Sequence, residues 1–220
     1  MPHGQIFRPR ATTLARLVVY GALPVVAVVI GWAIAFARSP WVTGQDRIAP
    51  QPVPFSHEHH VGGLGIDCRY CHTSVETSAF AGLPSTGTCM TCHSQLWRNA
   101  ALLAPVRESY RTGERLRWTR VHDLPDFVYF NHAIHIDRGV PCIECHGRVD
   151  RMPLMRQAKS LLMQWCLDCH RDPGSRAGAT DVFASEPTLH EPQAIPVIES
   201  SLAHPGDPLP RLLECSICHR

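Results

Sequence analysis

The apolar residues of this chain are spread very unevenly. Residues 17–37, LVVYGALPVVAVVIGWAIAFA, form a run of 21 without a charge. At 1.5 Å per residue that is long enough to cross a hydrocarbon core as one helix. Pro24 lies inside the run and is tolerable in a membrane helix. Arg8, Arg10 and Arg16 precede it, and Arg38 and Arg47 follow. The charge bias predicts a cytoplasmic N-terminus (residues 1–16), a transmembrane anchor (17–37) and an exported remainder, single-pass in a bacterial cytoplasmic membrane with its bulk facing the periplasm. The alternative is a cleaved signal peptide, because Ala35-Phe36-Ala37 resembles a cleavage site. The run exceeds the usual length of a signal's apolar core, which favours a retained anchor.

Beyond the anchor the pattern breaks up. A Pro-rich linker spans 38–54, and the remainder, 55–220, is rich in Pro, Arg, His and short polar stretches. Few apolar runs are left from which to build a core.

The cysteines supply the organising principle. All ten fall in C-x-x-C pairs, each followed at once by histidine: Cys68/Cys71/His72, Cys89/Cys92/His93, Cys142/Cys145/His146, Cys166/Cys169/His170 and Cys215/Cys218/His219. C-x-x-C-H is the attachment signature of c-type haem. Two sulfurs form thioethers to one porphyrin, and the adjacent His reaches its iron. A disulfide framework or a structural zinc site has no use for a His after every pair. A thioredoxin-like pair would need a βαβ pattern that is absent. The chain therefore reads as binding five haem c groups. The predicted fold is mostly irregular with short α-helices, a multihaem cytochrome c domain organised around its haems, plus one N-terminal transmembrane helix. Its long loops are those of a domain whose core is supplied by cofactors.

Two blocks repeat within the exported part. Phe55-Ser56-His57-Glu58-His59-His60 precedes the first two motifs, and Phe130-Asn131-His132-Ala133-Ile134-His135 precedes the third and fourth. The first His stands 11 positions before the first Cys in one block and 10 in the other. This is an internal repeat of a two-haem unit, residues 55–93 and 130–170, with the fifth haem at 215–219. Positions three apart share a helix face, so each F-x-H-x-x-H turn can offer two imidazoles to two neighbouring irons. His57, His60, His132 and His135 are the expected distal ligands. For the remaining iron His122, Met152 and Met155 are candidates, with His190 and His204 in a loop-like stretch. A Met ligand would raise that haem's potential, while simple packing is the alternative use of these methionines. Irons held by protein on both faces pass electrons and cannot bind substrate, so no catalytic residue is expected.

The formal charge is +2 before haem propionates are counted. Arg111, Arg115, Arg117 and Arg120 lie between the blocks and are either counter-charges to those propionates or a plain solvated basic face. No basic stripe with interleaved aromatics suggests nucleic acid as a partner.

The stretches VPFSHEHHVGGLGIDCRYCHTSVETSAFAGLP, PVRESYRTGERLRWTRVHDLPDFVYFNHAIH, CHGRVDRMPLM and the terminal CSICHR resemble the pentahaem subunit of alternative complex III, a bacterial quinol:electron-acceptor oxidoreductase. More broadly, the two blocks resemble class III (c3-like) multihaem cytochromes. That second resemblance implies that His57 serves the Cys68/Cys71 haem and His132 the Cys142/Cys145 haem, with His60 and His135 reaching neighbours. The first implies an iron–sulfur subunit and polytopic membrane subunits as partners. It also implies quinol oxidation in those partners and a monohaem cytochrome or terminal oxidase as acceptor. Two rival readings are a self-sufficient tetrahaem-type quinol dehydrogenase and a catalytic multihaem reductase with one open iron.

Overall fold

A computed structural model describes residues 8–186 and 210–219. His3, His190 and His204 lie outside the described residues, as does much of the Pro-rich stretch 172–210. The chain divides into two compact units, Met1–Gly44 and Gln45–Arg220.

The first unit is built on helix α1, Pro9–Ala37, of 29 residues. It begins eight residues before the apolar run, with Pro9 at its first position, where a missing N–H costs nothing. The helix is exposed on every face, and residues 10–37 are long and apolar enough to span a membrane. A helix apolar all round has no water-compatible face, and lipid is the solvent that suits it. Its end is tied off by Ser39, whose N–H and Oγ–H both donate to the Phe36 carbonyl, at 3.0 and 2.7 Å. One further turn, α2 (Pro40–Thr43), stops at Gly44, which takes the left-handed φ of +73°.

The second unit contains no strand among the described residues, only the isolated bridges Ile48↔Arg156 and Val128↔His219. Its helices are short: α3 (Cys68–Cys71), α4 (Thr86–His93), α5 (Ala104–Thr112), α6 (His132–Asp137), α7 (Cys142–His146), α8 (Met163–Arg171) and α9 (Cys215–Cys218). Every C-x-x-C pair therefore sits on a helical turn. Local caps set several of them. Asp67 accepts from the Arg69 N–H ahead of α3, Ser85 from the Thr88 N–H ahead of α4, and Asn131 from the Ile134 N–H ahead of α6.

The packed core is small. Val53, Leu103 and Val106 cluster with half-buried Met90, Leu116 and Trp118. Apart from these, the buried apolar side chains among the described residues are Val75, Met152, Val182 and Pro141. So little interior cannot hold a unit of this length by side-chain packing alone.

One tight approach locks the two repeated blocks together. Residues Glu58–Gly63 form a wide π-type turn, with the Leu64 N–H reaching back to His59 O. Its Gly62 faces the Asp150 carbonyl so closely that a Cβ there would collide with it, while Glu58 N–H donates to Met152 O at 3.1 Å. Gly62→Ala is expected to destabilise this unit by about 1–3 kcal/mol, as overpacking does. Thermal unfolding of the holoprotein checks this, and an unchanged midpoint would show that the backbone yields freely.

Candidate haem sites

Each F-x-H-x-x-H turn is held by its phenylalanine. Phe55 meets His57 edge-on (4.9 Å, 86°) and stacks on His60 (4.4 Å, 20°). Phe130 repeats both contacts with His132 (4.8 Å, 89°) and His135 (4.4 Å, 27°). The sequence repeat is thus a repeat of ring poses, with the two imidazoles of each turn fixed in different directions. Sequence reasoning quoted these phenylalanines only as part of the pattern, and their wedge role had no signal beyond their recurrence.

The second half of each arrangement is the His that follows a C-x-x-C pair. His60 lies 6.2 Å from His93, His132 lies 6.3 Å from His146 with planes 13° apart, and His135 lies 6.2 Å from His170. Rings in van der Waals contact could come closer. Two metal–imidazole bonds of about 2.1 Å, with each ring centre about 1.1 Å behind its nitrogen, place ring centres about 6.4 Å apart across one metal ion. The observed gaps have the width that one coordinated iron requires.

Tautomers agree with that reading. The Nδ1 of His60 lies 2.8 Å from Ser56 O, that of His93 3.1 Å from Leu96 O, and that of His132 2.9 Å from Ala79 O. His135 is 2.7 Å from Asn131 O and His170 3.0 Å from Leu212 O. His72 and His219 do the same with Gly82 O and Phe127 O, at 2.8 and 3.2 Å. A carbonyl only accepts, so Nδ1 is the donor and Nε2 keeps a free lone pair, the arrangement found in metal-bound histidines. Gly82, whose carbonyl orients His72, has φ +79°, a conformation that costs glycine little.

Burial keeps several of these rings neutral, which is the ligating form. It lowers His57 to about 4, helped by the nearby His72 and His60, and lowers His146 to about 3, helped first by His122 and His132. His135 is shifted down for the same reason. The Nδ1 of His57 is buried without a partner. Burial also raises the thiols, Cys142 to about 11 and Cys145 to about 12. Such thiols are poor thiolates, ill suited to redox exchange. All ten cysteines are free of disulfides. Among the described residues no three His, Cys, Asp or Glu side chains converge on one point; the donors come two by two.

The candidates for the fifth site are dispersed. His122 is half-buried with its Nε2 lacking a partner, and its ring lies 4.3 Å from His146, so it accompanies the third motif. Met152 is buried, 4% exposed, with its methyl group beside Gly147. Met155 is half-buried next to Arg156, which pairs with Ile48. The ring neighbour of His219 is Phe127, at 5.8 Å. His59 is exposed and stacks on Trp97 at 5.4 Å. Of the four arginines between the blocks, Arg111 is forked onto Glu108 (2.9 and 2.6 Å), and Arg120 meets Asp123 at 3.4 Å and lies over the Phe80 ring. Arg115 and Arg117 are exposed.

No protein-family profile matches the chain. It is 29% identical over 201 residues to the menaquinone reductase multihaem cytochrome c subunit of Nitratidesulfovibrio vulgaris, covering 89% of this chain and 86% of that one. It is 25% identical over 113 residues to the acrylate reductase cytochrome subunit of Shewanella woodyi, covering 51% of this chain and 70% of that one. The chain is thus similar, over most of its length, to a multihaem cytochrome c subunit of a quinone-linked enzyme, and its ten cysteines fit the C-x-x-C-H motifs that such a similarity requires.

Proposed function

We propose that this chain is a membrane-anchored pentahaem c-type cytochrome, an electron-transfer subunit of a quinone-linked membrane complex with its haem unit in the periplasm. The observation that supports it most directly is the set of three imidazole pairs 6.2–6.3 Å apart, each joining a C-x-x-C-H histidine to one from an F-x-H-x-x-H turn. Each haem would be held by thioethers to Cys68/Cys71, Cys89/Cys92, Cys142/Cys145, Cys166/Cys169 and Cys215/Cys218. When bound, it supplies one-electron chemistry.

The chain's own residues do the rest. His60 and His93 would hold one iron, His132 and His146 another, and His135 and His170 a third. His57, half-buried with its Nδ1 lacking a partner, would complete the first site with His72, and His219 would be the proximal ligand of the fifth. Two imidazoles on an iron leave no open position, so the chain conducts and a partner performs the quinone chemistry. The narrower resemblance to the pentahaem subunit of alternative complex III supports electron flow from quinol, through an iron–sulfur subunit and polytopic partners, to a periplasmic cytochrome or terminal oxidase.

A second reading has specific support. The Nitratidesulfovibrio relative is named a menaquinone reductase, which favours flow in the opposite sense, towards quinone.

Gentle solubilisation followed by a native gel stained for haem peroxidase tests both. The expected result is a large assembly containing an iron–sulfur protein and multi-span subunits. Reduction of a cytochrome by that band with added quinol supports the first direction. Reduction of added quinone from a reduced cytochrome supports the second. A haem band that runs alone and still oxidises quinol overturns the subunit reading.

A further inference from the structure

We propose that the five haems stand in single file in the order second, first, third, fourth, fifth motif, so that the second and fifth are the two ends through which partners exchange electrons. The inference rests on the five-haem reading above and adds to it the spatial order, which does not follow the order along the chain.

Each link in the file is a contact in the structure. The second site joins the first because His60 and His57 share one turn against Phe55, and because Tyr70 on α3 and Thr91 on α4 share a 2.8 Å hydroxyl hydrogen bond. The first joins the third through the loop after His72. Ala79 O accepts from both the backbone N–H and Nδ1 of His132, at 3.2 and 2.9 Å, and Ser78 O accepts from the Ala133 N–H. The third joins the fourth because His132 and His135 share one turn of α6 against Phe130. The fourth joins the fifth because His170 is oriented by Leu212 O, in the segment leading into α9.

The two exposed cysteines among the ten are Cys92 and Cys215, one in each terminal motif. The most exposed attachment cysteines therefore lie at the two ends of the file, as a conductor with two contacts requires.

The test uses the full-length holoprotein in detergent. A nitroxide is placed beside the second motif at Arg98→Cys or beside the fifth at Leu213→Cys, both exposed positions. Its spin-lattice relaxation is read with the irons ferric, and single haems are removed by Cys→Ala at both attachment positions. The label at 98 should relax several-fold more slowly without the second haem, detectably more slowly without the first, and unchanged without the fourth or fifth. The label at 213 should respond to the fifth, then the fourth, and not to the first or second. Removal of the fifth haem slowing the label at 98 as much as removal of the first overturns the file.

Intact mass separates this from the underlying reading. A wild-type chain with fewer than five haems overturns the pentahaem assignment itself. A pentahaem protein with the wrong relaxation order overturns only the file. A second measurement removes no haem. With all irons reduced, the separation between labels at 98 and 213 should exceed that between 98 and an Ile134→Cys label at mid-file, and a shorter 98–213 separation overturns the order.

Discussion

His132→Ala is expected to convert about one haem in five from low to high spin and to interrupt electron flow through the chain. His132 faces His146 across 6.3 Å with nearly parallel rings. On the proposed assignment its removal would leave the iron held by His146 alone. The variant also loses the bond from Nδ1 to Ala79 O, worth about 0.5–1.5 kcal/mol. That loss is small beside the change at the metal. Electron paramagnetic resonance of the oxidised protein should show a new high-spin signal with the other haems unmoved. Added imidazole should restore the low-spin spectrum, because it refills the vacated position. A fully low-spin variant with unchanged electron flux would show that His132 is not a ligand. His122, whose unpartnered Nε2 lies near the same pair, can complicate the result, and the double variant His122→Ala/His132→Ala separates the two contributions.

The chain exported without haem attachment is expected not to fold beyond its anchor. In the second unit the buried apolar side chains amount to Val53, Val75, Leu103, Val106, Met152, Val182 and Pro141 among the described residues. Backbone ordering costs about 1–2 kcal/mol per residue, which so few contacts cannot offset. Cofactor binding then supplies the folding free energy, as in small metal domains that are unfolded without their metal. Amide hydrogen exchange in detergent reads this directly. Protection should survive in α1 and be lost through Gln45–Arg220. Protected amides at α5, whose Val106 sits in the small core, would show that side-chain packing does more than this account allows.

Much of the proposed haem site can be read in the sequence, for a physical reason. Covalent haem attachment is local chemistry: two sulfurs and an imidazole within five residues reach one porphyrin, so the requirement is written contiguously. The proposed second ligand would be supplied through space. His135 and His170 are 35 positions apart, and their 6.2 Å approach depends on how α6 and α8 pack. The resemblance to c3-like cytochromes placed His57 and His132 but left His60 and His135 without partners. The carbonyls of Gly82, Leu96 and Ala79 that turn each ring had no sequence signal, because any residue presents a carbonyl. The anchor was legible in type, and α1 starts earlier than the apolar run because a helix once nucleated continues through Arg10 and Arg16.

The π-type turn at Glu58–Gly63 also accounts for a discrepancy in the repeat. The first block has 11 positions from its leading His to its first Cys and the second has 10. The first block runs through a wide turn and the second through an α-helical one, and a wide turn accommodates the surplus residue. Yet the Phe–His distances in the two blocks agree to within 0.1 Å. What the fold keeps constant is the aim of its imidazoles and not the length of chain between them. A search for such blocks that demands one fixed spacing would pass over one of the two, whereas one that tolerates a slipped residue beside paired glycines would find both.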